Sequence, residues 1–245
     1  KALNYAVLGQ WQDALVEARR IDHRLNVLTD RTKEKNAYRD DSFARYLSGV
    51  LYESTGDVNN AFIAYRNAYE TFGASRAWSH TAVPSQLRAD LLRTAEALHF
   101  TQELAEYQHV FPDTRWETSQ ALQQLAQVVV ISYNGRAPRK EDQFLDLPIS
   151  LDALQLVLLN RGFSQANRDS NRAVDTVLYG LNGRVVRVAL PRLVPQKTQV
   201  PVDMVSLIPD NGTRVTLNTE LVHNVSAMAD KALSERMAVI TSKAL

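Results

Sequence analysis

Cysteine is absent from the 245 residues. Disulfides, thiolate metal sites and cysteine nucleophiles are therefore excluded. The compartment stays open, since periplasmic and cytosolic proteins can both lack cysteine. No apolar run approaches the roughly 18 residues needed to span a bilayer. The first residues hold no charged region followed by an apolar stretch, so they do not read as a signal peptide, though a mature fragment of an exported protein would look the same. A strong charge of either sign is missing too. The formal net charge is +1. Residues 1–122 carry 14 basic and 16 acidic side chains, and the remainder carries 14 and 11. Neither part has the field that would gather nucleic acid or an anionic membrane.

Catalytic patterns are also missing. No G-x-S-x-G, phosphate-loop or dinucleotide sequence occurs. Five histidines are present, and no two stand three or four residues apart. His99 and His109 flank Glu103 and Glu106, which reads as a solvated helix surface and not as a metal face. Gly180-Leu181-Asn182-Gly183 reads as a turn before a strand, and Asp40-Asp41 as helix-capping carboxylates. No catalytic residue, metal or cofactor is assigned on these grounds.

What is present is an ordinary globular composition, 45% hydrophobic and 22% charged, in a chain long enough for one or two domains with a proper core. In residues 2–22, Leu3, Ala6 and Val7, then Trp11, Ala14, Leu15, Ala18 and Ile21, follow helical spacing. Gly9-Gln10 divides them into two helices. Residues 42–72 repeat this: Phe43, Tyr46, Leu47, Val50 and Leu51, a turn at Gly56-Asp57, then Ala61, Phe62, Ala64, Tyr65, Ala68 and Tyr69. Ser42 is the expected N-cap. Tyr5, Gly9, Ala14 and Ala18 superpose on Tyr52, Gly56, Ala61 and Tyr65 at a constant offset of 47, an internal repeat. Residues 23–40 are then a helix extension and a loop.

Residues 73–84 are expected as a loop. A helix capped by Ser85 should run to about Leu98, a second should span about 101–110, and Asp113 should cap a third reaching about Ala126. The character then changes. Residues 128–133 (VVVISY) read as a strand closed by Asn134-Gly135. Residues 150–161 read as a short helix closed by Gly162. Residues 185–190 read as a strand stopped by Pro191, and 202–208 with 213–217 as a hairpin. Residues 219–243 read as an amphipathic helix burying Leu221, Val225, Met228, Ala232, Leu233, Met237 and Ile240. The expected class is α+β, with helical hairpins over 1–126 and, over 127–245, a domain with a small, mainly antiparallel sheet.

Gly49, Tyr52, Gly56, Ala61, Tyr65 and Ala68 resemble the tetratricopeptide repeat signature, although the offset of 47 exceeds the usual 34 of that family. The whole order is also similar to a bacterial family of repeat-containing outer-membrane lipoproteins, through ALVEARRID, DDSFARYLSGVLYESTGD, AFIAYRNAYETF, NGRAPRK and the closing TELVHNV and LSERMAVITSKAL. The resemblance implies a periplasmic protein held at the outer membrane by a lipid anchor upstream of residue 1. It implies a non-enzymatic scaffold or assembly subunit whose partners are proteins, other envelope lipoproteins or copies of itself. It would line a groove with Phe43, Tyr46, Val50, Glu53 and Ser54. The loop at 134–140 adds Arg136, Arg139 and Lys140 as basic contacts. The alternative is a cell-wall enzyme or enzyme activator, which would need a convergent polar set in a pocket. The first repeat's opening helix, matched to the second, would begin about five residues before Lys1, so a longer exported precursor is expected.

Overall fold

The structure, a computed structural model, describes residues 1–31, 41–125, 127–148, 185–196, 202–208, 212 and 214–244. The expected helix at 150–161 and the turn at 180–183 lie outside the described residues. The chain has a mixed α+β architecture. Helices α1 (Ala2–Val7), α2 (Trp11–Arg31), α3 (Ser42–Ser54), α4 (Val58–Ser79), α5 (Ser85–Ala97), α6 (Thr101–Val110) and α7 (Ser119–Leu122) come first. Two antiparallel strand pairs follow, β1 (Arg139–Pro148) with β2 (Val185–Val194), and β3 (Met204–Leu207) with β4 (Val215–Asn218). Helix α8 (Val225–Ala244) closes the chain. Among the described residues no helix is long and apolar enough to cross a membrane.

The residues pack as two compact units. One comprises Lys1–Pro138 with Pro195–Glu235, the other Arg139–Val194 with Arg236–Leu245. In the second unit, β1 and β2 form a ribbon with Arg139 opposite Val194 and Pro148 opposite Val185.

In the first unit, successive helices pack on one another. The same helix ending occurs three times. The Gly56 N–H bonds the Glu53 carbonyl at 2.9 Å and the Asp57 N–H bonds the Tyr52 carbonyl at 3.0 Å. Gly9 and Gln10 make the equivalent bonds to Ala6 and Tyr5 at 3.0 and 2.9 Å, and His99 and Phe100 to Glu96 and Ala95, both at 2.9 Å. This is the Schellman arrangement, which needs a left-handed residue after the helix. Gly9, Gly56 and His99 have φ of 72°, 81° and 58°. Glycine adopts this conformation freely, whereas a histidine is strained there.

Small residues set how closely the helices approach. Ala61 and Ala68 on α4 are fully buried. Gly49 on α3 lies under the Tyr65 ring, where an added Cβ would come within 2.3 Å of the ring carbons. Phe62, Tyr65, Phe72, Leu87, Leu91 and Leu92 form the larger core, and Ala14, Leu15, Ala18, Leu47 and Leu51 a second one. Tyr52 packs against both.

Several expectations are corrected. The N-cap of α3 is Asp41, whose carboxylate accepts from the Ala44 N–H at 3.0 Å; Ser42 is the buried first residue of the helix. Helix α4 runs through Gly73 to Ser79, so most of 73–84 is helical, and it stops only at left-handed His80. A lone glycine costs a helix about 1 kcal/mol, which the buried Phe72 and Ser75 on either side outweigh. Thr118, not Asp113, caps the four-residue α7. Residues 128–133 join no strand ladder, and Val128, Val129 and Val130 are exposed. Strand β2 continues through Pro191, opposite Asp142; a two-stranded ribbon has open edges where a missing N–H costs nothing. Arg139 and Lys140 begin β1 and are not loop residues.

Residues 219–224 are not helical either; Leu221 is exposed. They run along the helix ends of the first unit. Glu220 accepts from the Ser85 N–H at 2.7 Å and from the Ser85 hydroxyl, capping α5, whose own N-cap Pro84 offers no side chain. Ser85 is therefore capped and is not the cap. His223 Nδ1 lies 3.5 Å from Asp41, with its ring beside Phe43. Asn224 donates to the Ser79 carbonyl at 3.0 Å and caps α8 through the Ala227 N–H, also at 3.0 Å.

Two substitutions test this packing. Gly49→Ala should lower unfolding stability by about 1–3 kcal/mol, because the Tyr65 ring is held at its hydroxyl end and cannot retreat. His99→Gly should raise stability by about 1 kcal/mol by relieving the left-handed strain. Urea unfolding followed by circular dichroism measures both. Equal midpoints for wild type and G49A would contradict the close approach, and a destabilised H99G would contradict the strain.

Candidate functional site

The expected groove residues of α3 mostly face α5, and this follows from their spacing. Tyr46, Val50 and Glu53 are three and four residues apart, so they share a face. All three are half-buried, and side chains of α5 reach Tyr46 and Glu53. The Tyr46 hydroxyl donates to Asp90 Oδ2 at 2.9 Å. Glu53 receives a two-pronged bond from Arg93, Nε to Oε1 and Nη2 to Oε2, both at 2.8 Å. The Tyr65 hydroxyl of α4 donates to Glu53 Oε2 at 2.7 Å. Arg93 Nη2 also reaches Asp90 Oδ1 at 2.7 Å, where Gln86 adds a bond at 2.9 Å. Val50 packs against the larger core. Phe43 is half-buried beside His223. Ser54 is exposed and donates to the Val50 carbonyl at 2.7 Å.

The network places one guanidinium between two carboxylates. Asp90 and Arg93 are 3% and 4% exposed, so most of their hydration is gone. Burial pushes the Asp90 carboxyl above its ordinary range, against the pull of Arg93 and the hydrogen bonds from Gln86 and Arg93. Burial pulls the Arg93 guanidinium down, yet hydrogen bonds and charge from Glu53 and Asp90 outweigh it and hold it raised. Tyr46 and Tyr65 are both raised, first by burial and then by the neighbouring carboxylates. Both phenols stay protonated and donate. The arrangement joins α3, α4 and α5 at one point, and its Asp90 carboxylate is not presented to solvent.

Asp90, Arg93, Gln86 and Tyr65 were not singled out as site residues from the sequence. A signal exists for the first two. An acid and a base three residues apart stand inside Ala89–Ala95, where Leu91, Leu92 and Ala95 give apolar character all round the helix, and every residue of that stretch is buried. Opposite charges in such a stretch must pair internally.

The basic residues of the other expected contact are exposed. Arg136 belongs to the first unit, and Arg139 and Lys140 to the second. Arg139 Nε donates to Glu141 at 3.1 Å, and Arg192 reaches the same carboxylate at 3.5 Å. The hydrogen bond from Arg139 leads in holding the Glu141 carboxyl below its ordinary range.

Two open clefts lie on the first unit. One, of about 420 Å³, runs between the start of α5 and residues Val110–Arg115. The other, of about 380 Å³, is a notch where Gly9–Asp13 meet Ser54 and Thr55. It lies between the first and second of the repeated turns and exposes nearly half of the Trp11 surface. Among the described residues, no three His, Cys, Asp or Glu side chains converge as metal ligands. Compared with protein-family models, curated proteins and solved structures, the chain matches none.

The two carboxylate partners of Arg93, buried Asp90 and half-buried Glu53, are not equivalent to Arg93 itself. Arg93→Ala leaves two carboxylates uncompensated and should cost about 3–5 kcal/mol. Asp90→Asn keeps an acceptor for Gln86 and Arg93 and can donate to Tyr46, so it should cost about 1 kcal/mol. The raised Asp90 carboxyl contributes stability that is present below its unfolded value and is lost as pH rises through its folded value. On acidification from neutral pH, wild type should therefore gain stability relative to D90N. Urea titrations of both proteins across that range measure the difference, and a gap that moves in favour of D90N would refute the raised carboxyl.

Proposed function

We propose that the chain is a non-enzymatic protein-interaction scaffold of the bacterial cell envelope, built on tetratricopeptide-like helical hairpins. The observation that supports it most is the thrice-repeated Schellman ending, whose last residue begins the next helix each time. Such repeats stack helix pairs and leave long surfaces for partners. The placement in the periplasm, at the outer membrane through a lipid anchor upstream of residue 1, follows from the family resemblance of the five quoted segments.

The surface proposed for binding is not the groove that the resemblance implies, since the polar groups of Tyr46 and Glu53 are engaged by Asp90 and Arg93 of α5. The notch is the better anchor. Trp11 is a large, half-exposed aromatic beside a concave wall that includes Ser54, and tryptophan is over-represented among residues that dominate interface energies. The partner is a protein that packs on the exposed part of the Trp11 ring.

Affinity capture from envelope extracts, with wild type and Trp11→Ala compared by quantitative mass spectrometry, tests this reading. A protein retained by wild type should fall at least about tenfold with W11A, as a lost hot spot of 2 kcal/mol or more requires. Equal recovery of every retained protein on both baits would remove the notch as the binding surface.

A further inference from the structure

Strand β4 has an open side. It pairs with β3 through Val205 opposite Leu217 and Leu207 opposite Val215. Among the described residues no strand pairs with its other edge, and all four of its residues are exposed. A two-stranded hairpin is marginal alone, and an open apolar edge is a template for another strand. The hairpin puts Val205, Leu207, Val215 and Leu217 on one face and Met204, Ser206, Thr216 and Asn218 on the other. Ser206 and Thr216 hydrogen-bond at 3.2 Å on the polar face. Leu217 is 57% exposed and Val215 45%.

We infer that the open edge of β4 pairs antiparallel with β4 of a second copy of this chain, giving a four-stranded sheet around a two-fold axis. The sequence around β4 fits itself in one register. A two-fold axis perpendicular to the sheet keeps the apolar faces of both copies on the same side only when residues of equal parity meet, since a one-residue slip turns every side chain over. Leu217 opposite its own copy satisfies this. The same register sets Thr216 opposite Asn218, Val215 opposite Thr219, and exposed Arg214 opposite exposed Glu220. Both ends of the new ladder then carry an opposite-charge pair, and no charge lies between them. The neighbouring even registers move Arg214 off Glu220 and onto uncharged residues. The β3–β4 ladder already continues to Thr219, whose N–H reaches the Asp203 carbonyl at 2.8 Å, so the extended backbone spans most of the pairing length. Glu220 keeps its bonds to Ser85 and gains a cationic neighbour.

The absence of cysteine makes the register directly testable. Cross-strand Cβ atoms on directly opposed residues stand about 4.5–5.5 Å apart, close to disulfide geometry. Sedimentation velocity over a concentration series should show a reversible dimer of the full chain. Leu217→Cys should form a disulfide-linked dimer rapidly under mild oxidation, and Val215→Cys, which faces Thr219, should do so far more slowly. Arg214→Glu, checked for folding by circular dichroism, should weaken dimerisation about tenfold by setting like charges opposite each other. A chain that stays monomeric at every concentration overturns the inference. So does a dimer in which V215C cross-links as fast as L217C, or one that R214E leaves unchanged. None of these outcomes depends on Trp11, so the dimer and the notch fail or stand separately.

Discussion

The guanidinium of Arg93 is the point on which the helical part depends. It touches carboxylates from two helices and, through them, tyrosines from two. Buried ion pairs seldom add stability over a well-packed apolar substitute. Their effect is on which arrangement wins. Glu53 accepts from Arg93 and Tyr65 at once, and Asp90 from Arg93, Tyr46 and Gln86. These bonds can all form only when α3, α4 and α5 stand at one rotation and one height. Alanine and leucine faces alone would tolerate a shift of α5 along α3. The polar cluster does not, because any shift leaves a charge without water and without a partner. The same cluster explains why the aromatic residues Tyr46 and Tyr65 differ from Phe62 and Phe72. Their rings add to the core, and their hydroxyls are spent on the two carboxylates.

Much of the helical part is legible in the sequence, and the reasons are local. Gly9 and Gly56 mark turns because only glycine enters the left-handed region without strain, and Asp57 caps the next helix within the same four residues. The helices at 85–97 and 101–110 follow from apolar spacing. His99 shows where such reasoning thins out. It holds the third turn in the same geometry as the two glycines, with no residue-type signal, and only the surrounding packing over-determines it. Gly73 is the converse case, a breaker by type that lies inside a helix. The hairpin of β3 and β4 was legible from two β-branched runs around a turn. The strand at 128–133 was not realised, because residue type says what a segment could pair with and not whether a neighbour is at hand.

The candidate site was legible in part. Tyr46 and Glu53 were singled out, and they are central to the polar cluster that links α3 to α5. Their partners Asp90 and Arg93 lie about forty residues further on, and no local pattern joins them. Long-range polar pairing has no period, so it escapes any reading that works through spacing.

The same limit decides where the C-terminal segment goes. Residues 219–224 carry helical spacing, and on that ground they extend the last helix. Their polar groups have better places. The first turn of α5 has N–H groups to satisfy and a proline cap without a side-chain acceptor, and Glu220 supplies the carboxylate from 135 residues away. The last turn of α4 leaves the Ser79 carbonyl for Asn224, which then begins α8 by bonding Ala227. Helix ends leave four unmet donors or acceptors each, and a chain that runs across several of them gains more from capping than from one further helical turn. Stitching of this kind also fixes what precedes it. Thr219 is bonded to Asp203 at the base of the β3–β4 pair, and Asp203 in turn holds Ser132 and Asn134. The hairpin is thus hung from the helix termini at its base, while among the described residues no strand pairs with the far edge of β4. An edge held at one side, and uncharged between Arg214 and Glu220, lacks the charges with which edge strands avoid one another.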